Sequence, residues 1–333
     1  MLYKDILAKV KDLPVMIIGD VMMDVYLFGN VSRISPEAPV PVVDVLSREN
    51  RLGGAANVAL NLASLGAKPI LCSVVGNDSK GDEFFQLLKE DRMMSTGIFR
   101  SDRRPTTTKF RILGNQVQLL RVDEETTEPL SNEDEQKFIR LISTLIEYEK
   151  PAAILFQDYD KGCITPNVIA AITNIANAKN IPTTVDPKKR SFRDYKNVTL
   201  FKPNLKELKE GLGIDIKEIT EDTLKDAVAE LHSTQNIEMV MVTLSEKGTF
   251  ISNKKHNLSY LAPAHVRTIA DVSGAGDTVI SVATICLAIG INPKDLVEYS
   301  NLAGGIVCES VGVVPIDRKR FFKEIQTIQR KRK

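Results

Sequence analysis

The sequence has few of the residues that build disulfide frameworks and histidine–cysteine metal centres. It contains four cysteines and three histidines among 333 residues. The cysteines form no CxxC pair and three of them lie inside apolar runs, which predicts reduced, packed thiols and a cytoplasmic protein. Because the histidines do not cluster along the sequence, we do not expect a metal site made of histidine and cysteine ligands.

An excess of charge is also missing. Lysine and arginine total 44 and aspartate and glutamate total 43, which gives a formal net charge of +1. No overall field would attract nucleic acid or a membrane surface, so any anion site must be local. Residues 1–14 predict an amphipathic helix interrupted by lysines, which is neither a signal peptide nor a membrane span. The basic residues 330–333 are interpreted as a solvated helix end.

Three familiar motifs are absent as well. Without GxxxxGK[ST] the chain is not a P-loop enzyme, and without GxSxG it lacks the nucleophile elbow of α/β hydrolases. No GxGxxG follows the first expected strand, which disfavours a dinucleotide-binding dehydrogenase.

Strand-like apolar runs alternate with helical patterns, which predicts one α/β domain over residues 1–333 with a mostly parallel, helix-covered sheet. The expected strands cover residues 14–19, 69–76, 152–157, 181–185, 199–202 and 238–244. The expected helices cover residues 54–65, 82–90, 131–148, 165–178, 221–233, 275–289 and 293–309. Two extended segments, about residues 25–48 and 105–122, break the alternation, the second around a hairpin turn at Gly114-Asn115. Together they predict a small β-sheet lid whose outer apolar face requires a partner.

The most informative segment is DVSGAGD, residues 271–277, which an apolar run follows directly. It predicts a glycine-rich turn that opens a buried helix. The backbone N–H groups of Gly274, Ala275 and Gly276 would then form an anion hole. Asp277, in the first helical turn, would take a proton from a hydroxyl group. Helix capping alone is the alternative interpretation.

Two segments near the first expected strand are candidate acceptor-binding elements. Gly53 and Gly54 precede Asn57 at the start of a helix, where small residues let a ligand approach the backbone or hinge a lid. Close packing of that helix on the sheet is the alternative. Asp20 and Asp24 follow the first strand at the edge where ligands collect in parallel sheets. They are candidates to bind sugar hydroxyls, and a solvated turn is the alternative.

Further polar residues follow later strands or lie in the expected lid. Asn204 and Glu207 are three residues apart on a first helical turn and suit Mg²⁺ held through water, although an ordinary N-cap looks the same. Basic residues that could hold a phosphate group occur in the lid and in loops after strands, with solvated positions as the alternative. They are Arg33, Lys109, Arg111, Lys161 and Lys188.

In this order, these segments resemble the ribokinase-like carbohydrate kinases of the phosphofructokinase-B type, from Gly19 to about Gly312. DxxGAGD is the specific signature of that family, and the glycine pair at 53–54 is the second. The resemblance implies a three-layer α/β/α sandwich with a β-sheet lid, ATP and Mg²⁺ as cofactors, and often a homodimer joined through the lids. It leaves open a monovalent cation such as K⁺.

The resemblance also implies residue roles. Asp277 is the base on the acceptor hydroxyl, residues 274–276 are the anion hole, and Asn204 and Glu207 match an NxxE element near Mg²⁺ and phosphates. Other residues lie near the nucleotide, including one position where members often have glycine instead of serine. They are Thr243, Ser245, Gly248 and Asp271.

Four segments resemble a finer group within the family, namely RISPEAPVPVV, GGAANVA, TTTKFR and DYDKG. That group phosphorylates the C1 hydroxyl of D-glycero-β-D-manno-heptose 7-phosphate on the route to ADP-heptose and lipopolysaccharide. The loop DPKKR and the stretch QVQ depart from its pattern. Fructose, a fructose phosphate or tagatose phosphate therefore stay open as acceptors, and so does a non-catalytic nucleotide- or sugar-binding regulator.

Overall fold

The computed structural model describes residues 1–265 and 267–332. The strands are β1 (Pro14–Gly19), β2 (Val21–Ile34), β3 (Pro41–Gly54), β4 (Lys68–Gly76), β5 (Ile98–Ser101), β6 (Thr108–Gly114), β7 (Val117–Glu124), β8 (Ala153–Gln157), β9 (Thr183–Asp186), β10 (Leu200–Phe201), β11 (Met239–Thr243), β12 (Thr249–Asn253) and β13 (Leu258–Ala262). The helices are α1 (Tyr3–Val10), α2 (Ala55–Leu65), α3 (Ser79–Glu90), α4 (Asn132–Glu149), α5 (Pro166–Ala178), α6 (Leu205–Leu212), α7 (Glu221–Thr234), α8 (Ala275–Ala288), α9 (Pro293–Val307) and α10 (Arg318–Lys331).

Nine strands of the described residues form the main sheet, in the order β13-β12-β11-β10-β9-β8-β1-β4-β5. Neighbours from β5 to β11 run parallel, and β12 and β13 add an antiparallel hairpin at one edge. Side chains of β1 alternate between two cores, with Val15 and Ile17 in one and Met16 and Ile18 in the other. Because both faces of the sheet are buried, the predicted three-layer sandwich is confirmed.

The helices divide between these two cores. Side chains of α1, α2, α3, α8, α9 and α10 pack into the first core. Side chains of α4, α5, α6 and α7 pack into the second. Helix α8 is the most apolar of the first group over its length, and Asp277 to Cys286 are all buried. The helix that begins in the signature segment is therefore packed by neighbouring elements on several sides.

A second sheet in the described chain has the order β3-β2-β6-β7 and forms the predicted lid. Strand β2 pairs antiparallel with β3 and parallel with β6. The β6–β7 hairpin closes through Asn115 and Gln116, both at positive φ, as the two-residue turns of twisted hairpins require. The lid strands extend beyond the predicted segments, since β2 begins at Val21 and β3 ends at Gly54, next to the main sheet.

The sequence-based prediction missed β5, the β12–β13 hairpin and α10. Strand β12 is buried at all five residues and so shows no alternation, and the turn after it contains no glycine. Within the described residues, no helix is long and apolar enough to cross a membrane.

Candidate active site

Polar side chains collect where neighbouring parallel strands end. Gln157, the last residue of β8, pairs with Gly19 of β1 on one side and with Asp186 of β9 on the other. Asp20 follows β1 directly, and Lys202 follows β10 directly. Because the carboxyl ends of these strands lie side by side, residues far apart in sequence share one edge.

Helix α8 begins above this edge. Gly274 caps the helix in the left-handed region at φ 77°, which favours glycine. A Cβ atom on Gly276 would lie 3.9 Å from Lys202 Nζ and 4.0 Å from Asp186 Oδ2, so the open side of this glycine faces the buried ion pair. The N–H groups of a first helical turn lack intrahelical partners and attract anions. The Lys202 ammonium therefore lies beside residues 274–276, whose role as an anion hole stays a prediction.

The Asp277 carboxylate is buried and held by three donors. Asn57 Nδ2 donates to Oδ2 at 2.6 Å, and Tyr159 donates its hydroxyl to Oδ1 at 2.6 Å. Gln157 Nε2 adds a longer hydrogen bond to Oδ1 at 3.3 Å. Burial raises the pKa of Asp277 to about 6, although the bonds from Tyr159 and Asn57 oppose the rise. At neutral pH the group is therefore ionised yet close enough to its pKa to accept a proton.

Lys202 and Asp186 form a buried ion pair next to the Asp277 carboxylate. The Nζ–Oδ2 distance is 3.0 Å and the Lys202 side chain is 3% exposed. Burial raises the pKa of Asp186, while Lys202 lowers it. Gln157 Nε2 links the two carboxylates, since it also lies 3.4 Å from Asp186 Oδ2. Gln157 Oε1 is buried without a hydrogen-bond partner among the described residues, so it remains available to a ligand hydroxyl or to water.

The Asp20 carboxylate accepts three backbone N–H groups, and its contact with a sugar hydroxyl stays a prediction. Its Oδ2 accepts the backbone N–H groups of Tyr159 at 2.9 Å and Lys161 at 3.1 Å, and its Oδ1 accepts that of Cys163 at 2.9 Å. All three donors belong to the loop after β8. Asp20 therefore holds the loop that brings the Tyr159 hydroxyl to Asp277.

Asn204 and Glu207 form a capping box at the start of α6. Asn204 Oδ1 accepts the Glu207 N–H and Glu207 Oε2 accepts the Asn204 N–H, both at 2.8 Å. Glu207 Oε1 pairs with Lys188. These oxygens suit the hydration shell of Mg²⁺ better than direct ligation, because each already has a partner. No cluster of three or more His, Cys, Asp or Glu side chains able to hold a metal occurs among the described residues.

The residues expected near the nucleotide lie on two separate turns. Thr243 ends β11 and bridges to Asn204. Ser245, where glycine is expected in relatives, has φ 54°, and Gly248 has φ 95°. Asp271 accepts the N–H groups of Ser273 at 2.9 Å and of Gly312 at 3.0 Å, and it thereby shapes the loop before α8. Their contact with a nucleotide stays a prediction.

The glycine pair lies where the lid meets the main sheet. A Cβ atom on Gly53 would come within 2.6 Å of Asp24 Oδ2, and Gly54 has φ 61°. Asn57, in the first turn of α2, reaches Asp277. Gly53, Gly54 and Asn57 therefore connect the lid to the Asp277 carboxylate within one short segment.

The basic residues expected to hold a phosphate group divide by their partners. Lys109 pairs with Asp123 and with Glu125, both at 2.9 Å, and Lys161 pairs with Glu125 at 2.7 Å. Two others pair with single carboxylates, namely Arg111 with Asp24 and Lys188 with Glu207. Arg33 is exposed near the tip of the lid. The structure thus brings Lys109 and Lys161 together and separates Arg33 from them.

Reasoning from the sequence gave no role to four residues around Asp277, namely Gln157, Tyr159, Asp186 and Lys202. Each ends or follows a buried strand, so the position after a strand was an available signal. Glutamine and tyrosine there are not distinctive types, and only the register of the strands shows that they meet.

Comparison with known proteins identifies relatives of this chain. A family model described as pfkB family carbohydrate kinase matches residues 13–319. The bifunctional protein HldE of Methylobacillus flagellatus is 39% identical over 315 residues, covering 95% of this chain and 64% of that protein. HldE of Aliarcobacter butzleri is 37% identical over 298 residues, covering 90% of this chain and 61% of that protein. The chain therefore spans less than two thirds of the length of these relatives.

Two solved structures have the same fold at low sequence identity. Phosphofructokinase-2 from Escherichia coli, in complex with fructose-6-phosphate, superposes with a TM-score of 0.73 at 15% identity, covering 95% of this chain and 98% of that one. Arabidopsis thaliana ribokinase, complexed with ribose and ATP, gives 0.69 at 16% identity, covering 94% and 99%. At such identities the likeness concerns the fold alone.

Proposed function

The chain belongs to the pfkB family of carbohydrate kinases, and we propose that it phosphorylates the C1 hydroxyl of D-glycero-β-D-manno-heptose 7-phosphate with ATP. The product would be the 1,7-bisphosphate, an intermediate on the route to ADP-heptose and lipopolysaccharide. The choice of acceptor rests on the resemblance of the four segments that include DYDKG and TTTKFR.

The placement of the Asp277 carboxylate is the observation that supports the proposed phosphoryl transfer. Its carboxylate is buried at the first turn of α8, where Asn57 and Tyr159 fix its direction. In the proposed reaction the C1 oxygen forms a bond to the γ-phosphorus while the bond from that phosphorus to the β–γ bridging oxygen breaks. The hydroxyl proton passes to Asp277, and ADP leaves with the electron pair of the broken bond.

Charge that develops on the transferred group requires donors already in place. The open side of Gly276 faces the Lys202 ammonium, so we assign Lys202 and the N–H groups at residues 274–276 to the phosphoryl oxygens. Mg²⁺, when bound, would neutralise charge on the β- and γ-phosphates. Asn204 and Glu207 would hold it through water, with Lys188 beside them.

The phosphate already on the acceptor needs its own cations. We assign Lys109 and Lys161 to it because their ammonium groups converge on one point between lid and loop. Arg111, paired with Asp24 on the neighbouring strand, would contact the sugar hydroxyls with that carboxylate. Lid closure about Gly53 and Gly54 would exclude water and limit hydrolysis of ATP.

A panel of acceptors tests the function. With ATP and Mg²⁺, heptose 7-phosphate should give the highest kcat/KM in an ADP-release assay, and ³¹P NMR should show a new phosphate on the anomeric carbon. Fructose 6-phosphate, fructose 1-phosphate, tagatose 6-phosphate and free fructose serve as comparisons, with and without K⁺. Strong turnover of free fructose would contradict the heptose assignment. Release of no ADP with any sugar would instead favour a non-catalytic binding protein.

We further propose that the protein is a cytoplasmic homodimer joined through its lids. Strand register places Leu120 opposite Ile112 and Val122 opposite Phe110, on the side of the lid away from the charged residues Asp24 and Arg111. Leu120 and Val122 are among several exposed apolar side chains of the lid, which a partner lid would cover. All four cysteines are free, as a reducing compartment favours.

Leu120→Asp should convert the dimer into a monomer, because it buries a charge in the proposed interface. Sedimentation velocity measures the outcome. Glu124→Gln, an exposed substitution on the same strand, is the control and should leave the dimer intact. A wild-type chain that sediments as a monomer would exclude the proposed interface.

A further inference from the structure

One carboxylate lies between the two lysines assigned to the acceptor phosphate. Lys109 Nζ donates to Glu125 Oε2 at 2.9 Å and Lys161 Nζ donates to Oε1 at 2.7 Å, so each carboxylate oxygen takes one ammonium. The three side chains are only 14%, 16% and 20% exposed. This two-oxygen, two-ammonium arrangement is the one that a phosphate group would adopt with the same lysines.

The three residues come from different parts of the fold. Lys109 lies on β6 of the lid and pairs in register with Asp24 on β2. Lys161 lies on the loop after β8, two residues beyond the Tyr159 whose hydroxyl reaches Asp277. Glu125 follows the last residue of β7, on the segment that leaves the lid. The ammonium pair therefore joins a lid strand to the loop that carries Tyr159 to Asp277.

We propose that the Glu125 carboxylate is a place-holder for the phosphate group of the acceptor, which must displace it from Lys109 and Lys161 in order to bind. This inference rests on the proposed function only in taking the acceptor to be a sugar phosphate. Glu125 thereby selects among acceptors. A phosphate offers both ammonium groups a stronger partner, whereas a neutral hydroxyl cannot compete with a carboxylate.

The charges around Lys109 and Lys161 favour displacement of Glu125 by the phosphate over binding of the phosphate beside it. Asp123 bonds Arg121 as well as Lys109, so each of the two carboxylates has two cationic partners while Glu125 is in place. A phosphate entering without displacement would lie against the Glu125 carboxylate, which already occupies both ammonium groups. With Glu125 moved aside, the lysines present a net positive site. The bonds from Lys161 and Lys109 outweigh burial and hold the pKa of Glu125 below its usual range, so the competing group is ionised at neutral pH.

A purely structural role for Glu125 predicts the opposite result. If the carboxylate served only to hold the two lysines in place, its loss would loosen them and weaken phosphate binding. The sign of the change in affinity therefore separates a place-holder from a structural tie.

Titration of inorganic phosphate into the full chain by calorimetry tests the inference. Glu125→Gln keeps the shape and removes the charge, and it should tighten phosphate binding about tenfold, since a charge-assisted competitor is lost. Glu125→Ala should shift the affinity in the same direction and guards against a defect peculiar to glutamine. The exposed neighbour Glu124→Gln is the matched control and should bind phosphate like wild type. Unchanged or weaker binding by both Glu125 variants overturns the inference.

Kinetics distinguishes failure of this inference from failure of the proposed function. In Glu125→Gln the KM for heptose 7-phosphate should fall about tenfold, in parallel with the phosphate affinity. If wild type turns over heptose 7-phosphate but the variant shows an equal or higher KM, the function stands and the inference is wrong. If heptose 7-phosphate is not a substrate, the phosphate titration still decides the role of Glu125.

Discussion

Asp277→Asn is expected to lower kcat by about 10²–10⁴-fold, the usual contribution of a general base. An amide cannot accept the hydroxyl proton, while the space, the helix N-terminus and Lys202 all remain. Substrate binding should change little, so the loss should appear in kcat rather than in KM. Steady-state kinetics with the preferred acceptor measures both parameters.

The pH profile adds a second readout for the same variant. Burial raises the pKa of Asp277 to about 6, so in wild type kcat should fall as the pH drops below about 6 and the base becomes protonated. The residual activity of Asp277→Asn should lack this acidic limb. Near-normal turnover by the variant, or an unchanged limb, would remove Asp277 from the role of base.

The stability of the variant serves as its control. Because the folded pKa of Asp277 is raised above the value of a free carboxyl group, its ionisation opposes folding, and this cost is fully present above about pH 6. Asparagine removes that cost but turns an N–H group toward one of the former donors, so at pH 7 the melting temperature should change little. Asp82→Asn, another aspartate in a first helical turn but exposed on α3, should retain wild-type activity.

Local patterns predicted the elements well where one segment carries its own signal. The strand at residues 14–19 coincides with β1, and the glycine-rich turn before α8 begins that helix as expected. The lid was predicted from its two extended segments. Its parallel pairing of β2 with β6 was not, because no local pattern links strands that are more than 70 residues apart.

The sequence predicted residues of the candidate site better than it predicted the hydrogen bonds and ion pairs among them. Asp277 and Asn57 were both candidates, but their hydrogen bond joins segments 220 residues apart. Glu125 looks like an ordinary residue after a hairpin, and it gains a role only where Lys109 and Lys161 converge on it. Long-range convergence depends on tertiary packing, which periodicity and spacing do not encode.

Asp20 shows the same limit most clearly, and its replacement is expected to have the second largest effect. Asp20→Ala leaves the N–H groups of Tyr159, Lys161 and Cys163 without their acceptor in a buried setting. At about 1–3 kcal/mol for each unsatisfied buried group, and with the carboxylate's own burial cost recovered, the free energy of unfolding should fall by about 3 kcal/mol. Because the chain has no tryptophan, urea unfolding followed by circular dichroism is the suitable measurement.

The kcat of Asp20→Ala should fall by more than a smaller fraction of folded protein would explain. A released loop moves the Tyr159 hydroxyl away from Asp277 and Lys161 away from Lys109, and misplacement of about 1 Å can cost about 10²-fold in rate. Asp20→Asn retains one oxygen acceptor and should show smaller losses in both measurements.

Tyr159→Phe tests the loss of the Tyr159 hydroxyl separately from the displacement of Lys161. It keeps the loop and removes only one hydroxyl, so stability and KM should change little. The Tyr159 bond lowers the pKa of Asp277, so its loss should move the acidic limb of kcat to higher pH. If Asp20→Ala instead keeps wild-type stability and pH profile and raises only the KM for the sugar, then Asp20 binds a sugar hydroxyl, as first expected from the sequence. A fall in stability and kcat together, with the limb moved as in Tyr159→Phe, would establish that Asp20 acts by positioning the loop.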